Sequence, residues 1–109
     1  MAAEYNLSVN MNADFVRSYQ VKESNVVVDL TTYSIEGTLK LNFRSTVSTS
    51  FVATVTDAVN GLFQLSLTDV VTAGMEPGTH VYDVILTDPN GIKTRLMQGR
   101  AFVKQGVTP

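Results

Sequence analysis

Alternation with a period of two runs through almost the whole chain, and it leaves few folds open. In "IEGTLKLNF" the apolar Ile35, Leu39, Leu41 and Phe43 fall on one side of an extended backbone, with Glu36, Thr38, Lys40 and Asn42 on the other. Successive side chains of a strand point to opposite faces, so such a segment buries one face and wets the other. The pattern recurs through Tyr5, Leu7, Val9 and Met11, then Phe51, Ala53 and Val55, then Phe63, Leu65 and Leu67, then Tyr82, Val84 and Leu86. Two less regular runs, "FVRSYQV" and "VVVDL", are rich in β-branched and aromatic residues and also read as strands. The closing "TRLMQGRAFV" reads as a strand bent by a bulge at Gly99. About seven to nine short strands at near-regular spacing predict an antiparallel sandwich or barrel.

Helical signals are scarce. In "LTDVVTAGM", Thr68 is placed to cap a short helical turn and Gly74 to end it, a plain loop being the alternative. No linker or low-complexity tract divides the 109 residues, so residues 1–109 read as a single domain with a loose tail at "KQGVTP".

The chain writes nearly the same phrase twice, "TDAVNG" at 56–61 and "TDPNG" at 87–91, each between alternating stretches. Asn-Gly in that setting signals a hairpin, because a type I′ turn needs positive φ at both central residues. Asn60-Gly61 and Asn90-Gly91 are therefore expected as hairpin turns, with Asp57 and Asp88 accepting hydrogen bonds from loop N–H groups. The rival reading is a calcium loop, but that requires further oxygen ligands and a late bidentate glutamate, and neither phrase is followed by them.

Chemistry-bearing residues are few. Cysteine is absent, which removes thiolate metal sites, disulfides and cysteine nucleophiles. The lone His80 precedes an apolar run and has no serine in a nucleophile-elbow context, so it reads as structural or surface. Asp29 and Asp83 lie inside apolar runs; a bond to a buried backbone group, or to Arg95 or Arg100, accounts for them better than a catalytic carboxylate pair. No phosphate loop or zinc pattern occurs, so no catalytic residue, metal or cofactor is expected. Eight Lys and Arg spread along a chain of net charge −2 do not suit a phosphate backbone, and no apolar run approaches the ~18 residues of a membrane span. Neither nucleic acid nor membrane is an expected partner. A host glycan remains a minor alternative: there is no tryptophan, and most tyrosines and phenylalanines alternate in step with the core face.

Three stretches together carry a resemblance: "VVVDLTTYSIEGTLKL", "DAVNGLFQLSL" and "GTHVYDVILTDPNGIKTRLMQGRAFV". They resemble a group of small bacteriophage virion proteins with a "YNL"-like first strand, a "DLTGYT"-like corner, an "NG.F.L.L" hairpin and a closing "G.YVYD…G…RLL.G.V.V…VT". The closing segment matches Gly78, Val81, Tyr82, Asp83, Gly91, Arg95, Leu96, Gly99, Val103, Val107 and Thr108. The corner, Asp29 to Tyr33, is also similar to that of the amino-terminal domain of phage baseplate upper proteins. Thr32 stands where the group has glycine, which implies a turn of different geometry here.

The resemblance implies an all-β, immunoglobulin-like sandwich that is not an enzyme. The expected role is a virion structural protein, assembled in the host cytoplasm, that oligomerises and attaches other virion proteins in the tail, baseplate or fibre region. A capsid decoration or head-to-tail protein is the alternative. Unpaired strand edges can extend a neighbour's sheet. The candidate interaction segments are accordingly the amino-terminal one, with Tyr5, Leu7 and Val9, and the carboxyl-terminal one, with Phe102, Val103 and Val107.

Overall fold

A computed structural model of the chain describes residues 3–106, so Val107 and Thr108 lie outside the described residues. The elements are β1 (Ala3–Glu4), β2 (Leu7–Asn10), β3 (Phe15–Gln20), β4 (Lys22–Glu23), β5 (Val26–Val27), β6 (Ser34–Lys40), β7 (Ser48–Asp57), β8 (Leu62–Leu67), α1 (Asp69–Ala73), β9 (Gly78–Thr87) and β10 (Lys93–Lys104). Eight strands follow the order β1-β10-β9-β6-β7-β8-β3, with β2 also on β10, and β4-β5 forms a separate hairpin. This is an all-β, mostly antiparallel sandwich of the immunoglobulin-like kind.

One strand serves both layers. Residues 48–51 of β7 pair with β6, whereas residues 52–57 pair with β8, so the sheet turns over at Phe51 and Val52. The turn brings the far edges together: Tyr19 on β3 meets Tyr5, which lies between β1 and β2, with ring centroids 6.1 Å apart. Tyr19 in turn packs on Phe63 at 5.6 Å, and Phe15 on Phe51 at 5.8 Å, so tilted aromatic pairs span the core. Val9, Leu39, Leu65 and Val84 fill the space between the layers. These belong to the alternating series in the sequence.

The structure departs from the sequence reading at several places. First, β1 and β2 run parallel to β10, so the sandwich is not wholly antiparallel. Second, "VVVDL" is not a strand of the core: only Val26 and Val27 are paired, in the small β4-β5 hairpin, and both are exposed. Third, β6 ends at Lys40, and beyond it Leu41 and Phe43 point into solvent, Phe43 being 85% exposed. Fourth, the irregularity in β10 falls between Arg95 and Met97, which leaves Leu96 as the extra residue. Gly99 stays paired with Tyr82, and its lack of a side chain serves a close approach, since a Cβ there would stand 2.2 Å from the Tyr5 carbonyl oxygen.

The fifth concerns the turns. Asn60-Gly61 joins β7 to β8 and Asn90-Gly91 joins β9 to β10, but only the glycines have positive φ, 67° and 84°. A type I′ turn is therefore excluded at both. Gly61 N–H donates to Ala58 O and Gly91 N–H to Asp88 O, each at 3.0 Å, so each four-residue turn ends on a glycine in the left-handed region. The two-residue hairpin with positive φ at both centres is Ser24-Asn25, at 52° and 66°, between β4 and β5. Asp57 and Asp88 accept hydrogen bonds from loop N–H groups, Asp88 Oδ1 from Asn90 and Ile92 at 2.9 and 2.8 Å.

Thr32, too, has positive φ, 71°, so its turn keeps the geometry that a glycine would adopt. Tyr33 N–H donates to Leu30 O at 3.0 Å, and with positive φ only at the third position the corner has the form of a type II turn. The Asp29 carboxylate braces it, accepting from Thr31 Oγ1 at 2.6 Å and Thr31 N–H at 2.9 Å. The short helix forms as its caps dictate: Thr68 accepts from Val71 N–H, and Gly74 closes the other end.

Candidate functional site

Registers across β6, β9 and β10 build the site. Tyr82 and Val84 face the core, so the alternating Val81 and Asp83 face outward. Lys40 and Arg100 both pair with Val81, and Thr38 and Gln98 both pair with Asp83, which lays two polar rows side by side over three strands. Beside them Glu4, Asn6 and Arg95 complete an open groove of about 610 Å3, with Phe43 at its rim. The Asn6 side-chain oxygen Oδ1 accepts from Arg100 N–H at 3.3 Å, bridging the break between β1 and β2.

The groove is amphoteric with a cationic surplus. Arg95 Nε lies 3.4 Å from Asp83 Oδ2, both side chains partly exposed, a pair worth about 0–1 kcal/mol. Lys40 and Arg100 have no such partner among the described residues. Two cations and an amide-lined floor can hold carboxylate or hydroxyl groups of a ligand, and Phe43 offers a ring face. Among the described residues the carboxylates lining the groove are Asp83, already paired, and Glu4, with no nucleophile set against a base.

The other residues singled out in the sequence lie elsewhere. His80 is in the interior, 6% exposed, with Nε2 donating to Glu76 O at 2.8 Å, which ties the loop after α1 to β9. Because a carbonyl only accepts, Nε2 carries a proton, and Nδ1 has no partner among the described residues. Asp29 is exposed and bonded to Thr31, not to an arginine, and the hydrogen bonds from the Thr31 hydroxyl and then its N–H hold its carboxyl below the usual range. Among the described residues no three His, Cys, Asp or Glu are grouped to hold a metal ion.

The residues of the expected interaction segments differ in burial. Leu7, Val9 and Val103 are interior, and Val103 pairs with both Gly78 and Val9. A strand paired on both sides offers no edge, so β10 is not open to a further strand at Val103. Tyr5, half-exposed, and the outer backbone edge of β2 remain. Sequence reasoning missed Lys40, Arg100 and Phe43 as a group because only strand register places them together.

No family model matches the sequence, and no curated protein matches it. Among solved structures, an internalin-like protein of Listeria monocytogenes is similar over 96% of this chain, with 14% identity and a TM-score of 0.47. The chain spans 28% of the length of that protein. The fold and surface are those of a compact β-sandwich scaffold, consistent with a non-catalytic protein-protein interaction module.

Proposed function

We propose that the chain is a structural attachment module of a bacteriophage virion, working in the tail, baseplate or fibre region. The three matching stretches motivate the virion setting. The observation that carries the binding role is Phe43, exposed at the rim of the groove that Lys40 and Arg100 line, with Leu41 and Val47 exposed in the same β6-β7 loop. An apolar tip next to a charged floor has the make-up of a protein contact, an apolar centre with a polar surround. Strand edges on β2 and β3 supply a second mode, sheet extension between copies or neighbours.

The test is cryo-electron microscopy with quantitative proteomics on purified particles of the phage that encodes the chain. Density in the tail, baseplate or fibre region is the expected result. A lattice-wide copy number with density on the capsid would make it a decoration protein instead, and absence from particles would overturn the virion reading. Glycan binding is favoured only by Phe43, and an isolated domain silent on glycan arrays would remove it.

A further inference from the structure

We propose that Asn90 is a site of spontaneous covalent modification, converting to aspartate and isoaspartate through a succinimide formed with Gly91, and that the fold protects Asn60 from the same reaction. This stands independently of the proposed function.

The chemistry requires only the dipeptide and water. The deprotonated Gly91 nitrogen attacks Cγ of Asn90; a C–N bond forms, and Nδ2 leaves as ammonia. Water then opens the five-membered imide at either carbonyl, giving an aspartyl or an isoaspartyl linkage with no change of oxidation state. Glycine as the second residue leaves the attacking nitrogen unshielded. The backbone must first swing out of its turn, so the local cost of opening sets the rate in the folded chain.

That cost differs between the two sites. Asn60 Nδ2 donates to Asp57 Oδ2 at 2.8 Å, which holds the leaving group, and Asn60 O accepts from Gln20 Nε2 at 2.9 Å. Gly61 is buried, with Gly61 O accepting from Val21 N–H at 2.8 Å, while the neighbouring Ala58 O accepts from Leu30 N–H at 2.7 Å. Opening this loop means detaching the segment around residues 20–30 from the sandwich. Asn90 and Gly91 are both exposed, the Asn90 carboxamide has no hydrogen bond among the described residues, and nothing lies within 4 Å of a Cβ built on Gly91. Among the described residues, only the hydrogen bonds around Asp88 hold that turn.

The product has consequences for the hairpin. Aspartate at 90 adds a negative charge beside Asp88, and isoaspartate lengthens the β9-β10 connection by one backbone carbon.

The test is incubation of the full-length folded protein at mildly alkaline pH in 18O-labelled water, followed by peptide mapping by mass spectrometry. A parallel sample is unfolded in urea. The expected result is label and isoaspartate at Asn90 in the folded protein, rising with pH, with Asn60 unchanged, and conversion of both in urea. Asn90→Gln should abolish the folded-state signal. Equal conversion at Asn60 and Asn90 in the folded protein, or none at Asn90 while both convert in urea, would overturn the proposal.

Discussion

The phenol of Tyr82 donates a 2.6 Å hydrogen bond to the backbone carbonyl of Tyr5, joining residues 77 apart in sequence. That carbonyl lies where the chain passes from β1 to β2, against Gly99 on the strand that both pair with. Tyr82→Phe keeps the ring, which meets Phe51 edge-on at 6.2 Å, and removes only the donor. The expected loss is about 1–1.5 kcal/mol in urea unfolding. Burial raises the phenol's pKa, so the neutral form is the one the fold favours. Its stabilisation is complete below the unfolded value of 10.0 and is lost as pH rises beyond it, so Tyr82→Phe should flatten the alkaline limb of the stability profile.

Thr32 holds a φ of 71°, where a β-branched side chain is strained by about 1–2 kcal/mol. Thr32→Gly should relieve that strain against the greater entropy of an unfolded glycine, leaving a net gain of up to about 1 kcal/mol. The melting temperature reads it directly, and a decrease would show that the Thr32 hydroxyl, bonded to Thr31 O, holds the corner.

Where the sequence was legible, the reason is local. Ile35 with Leu39, and Val84 with Leu86, report burial through a period that the strand itself imposes, and Thr68 and Gly74 mark α1 because caps are short-range chemistry. The misread elements are those decided by partners. Alternation continues through Leu41 and Phe43, but no neighbouring strand follows beyond Lys40, so the apolar face has nothing to cover it. Val26 and Val27 have strand composition without a core position. The parallel pairing of Leu7 with Ala101 has no local signature, and the groove exists only through the register that sets Lys40, Val81 and Arg100 in one row.

Asp29 titrates below the usual carboxylate value of 3.8, held down by the Thr31 hydroxyl and N–H. A lowered folded pKa contributes stability that is present above the unfolded value and disappears as pH falls through the folded one. Asp29→Asn should therefore reduce the slope of acid unfolding in that window, and NMR titration of the Asp29 carboxyl in the folded protein should show a midpoint below 3.8. A midpoint at or above that value would mean that the corner does not depend on the charged form.

Gly61 and Gly91 share a dipeptide and a sign of φ, yet the same substitution should affect them unequally. At Gly91 an alanine meets only the strain of the left-handed region, about 1–2 kcal/mol. At Gly61 the new Cβ would also stand 2.6 Å from Val28 O and 2.9 Å from Val21 O, backbone atoms that cannot turn aside. Adding overpacking of typically about 1–3 kcal/mol, Gly61→Ala should cost clearly more than Gly91→Ala in urea unfolding. Both loops bind their aspartates through backbone N–H groups, so a metal chelator should leave the melting temperature of the unsubstituted protein unchanged. Equal losses for the two alanine variants would mean that the segment over Gly61 moves aside, and a melting point lowered by chelator would return the loops to the calcium reading.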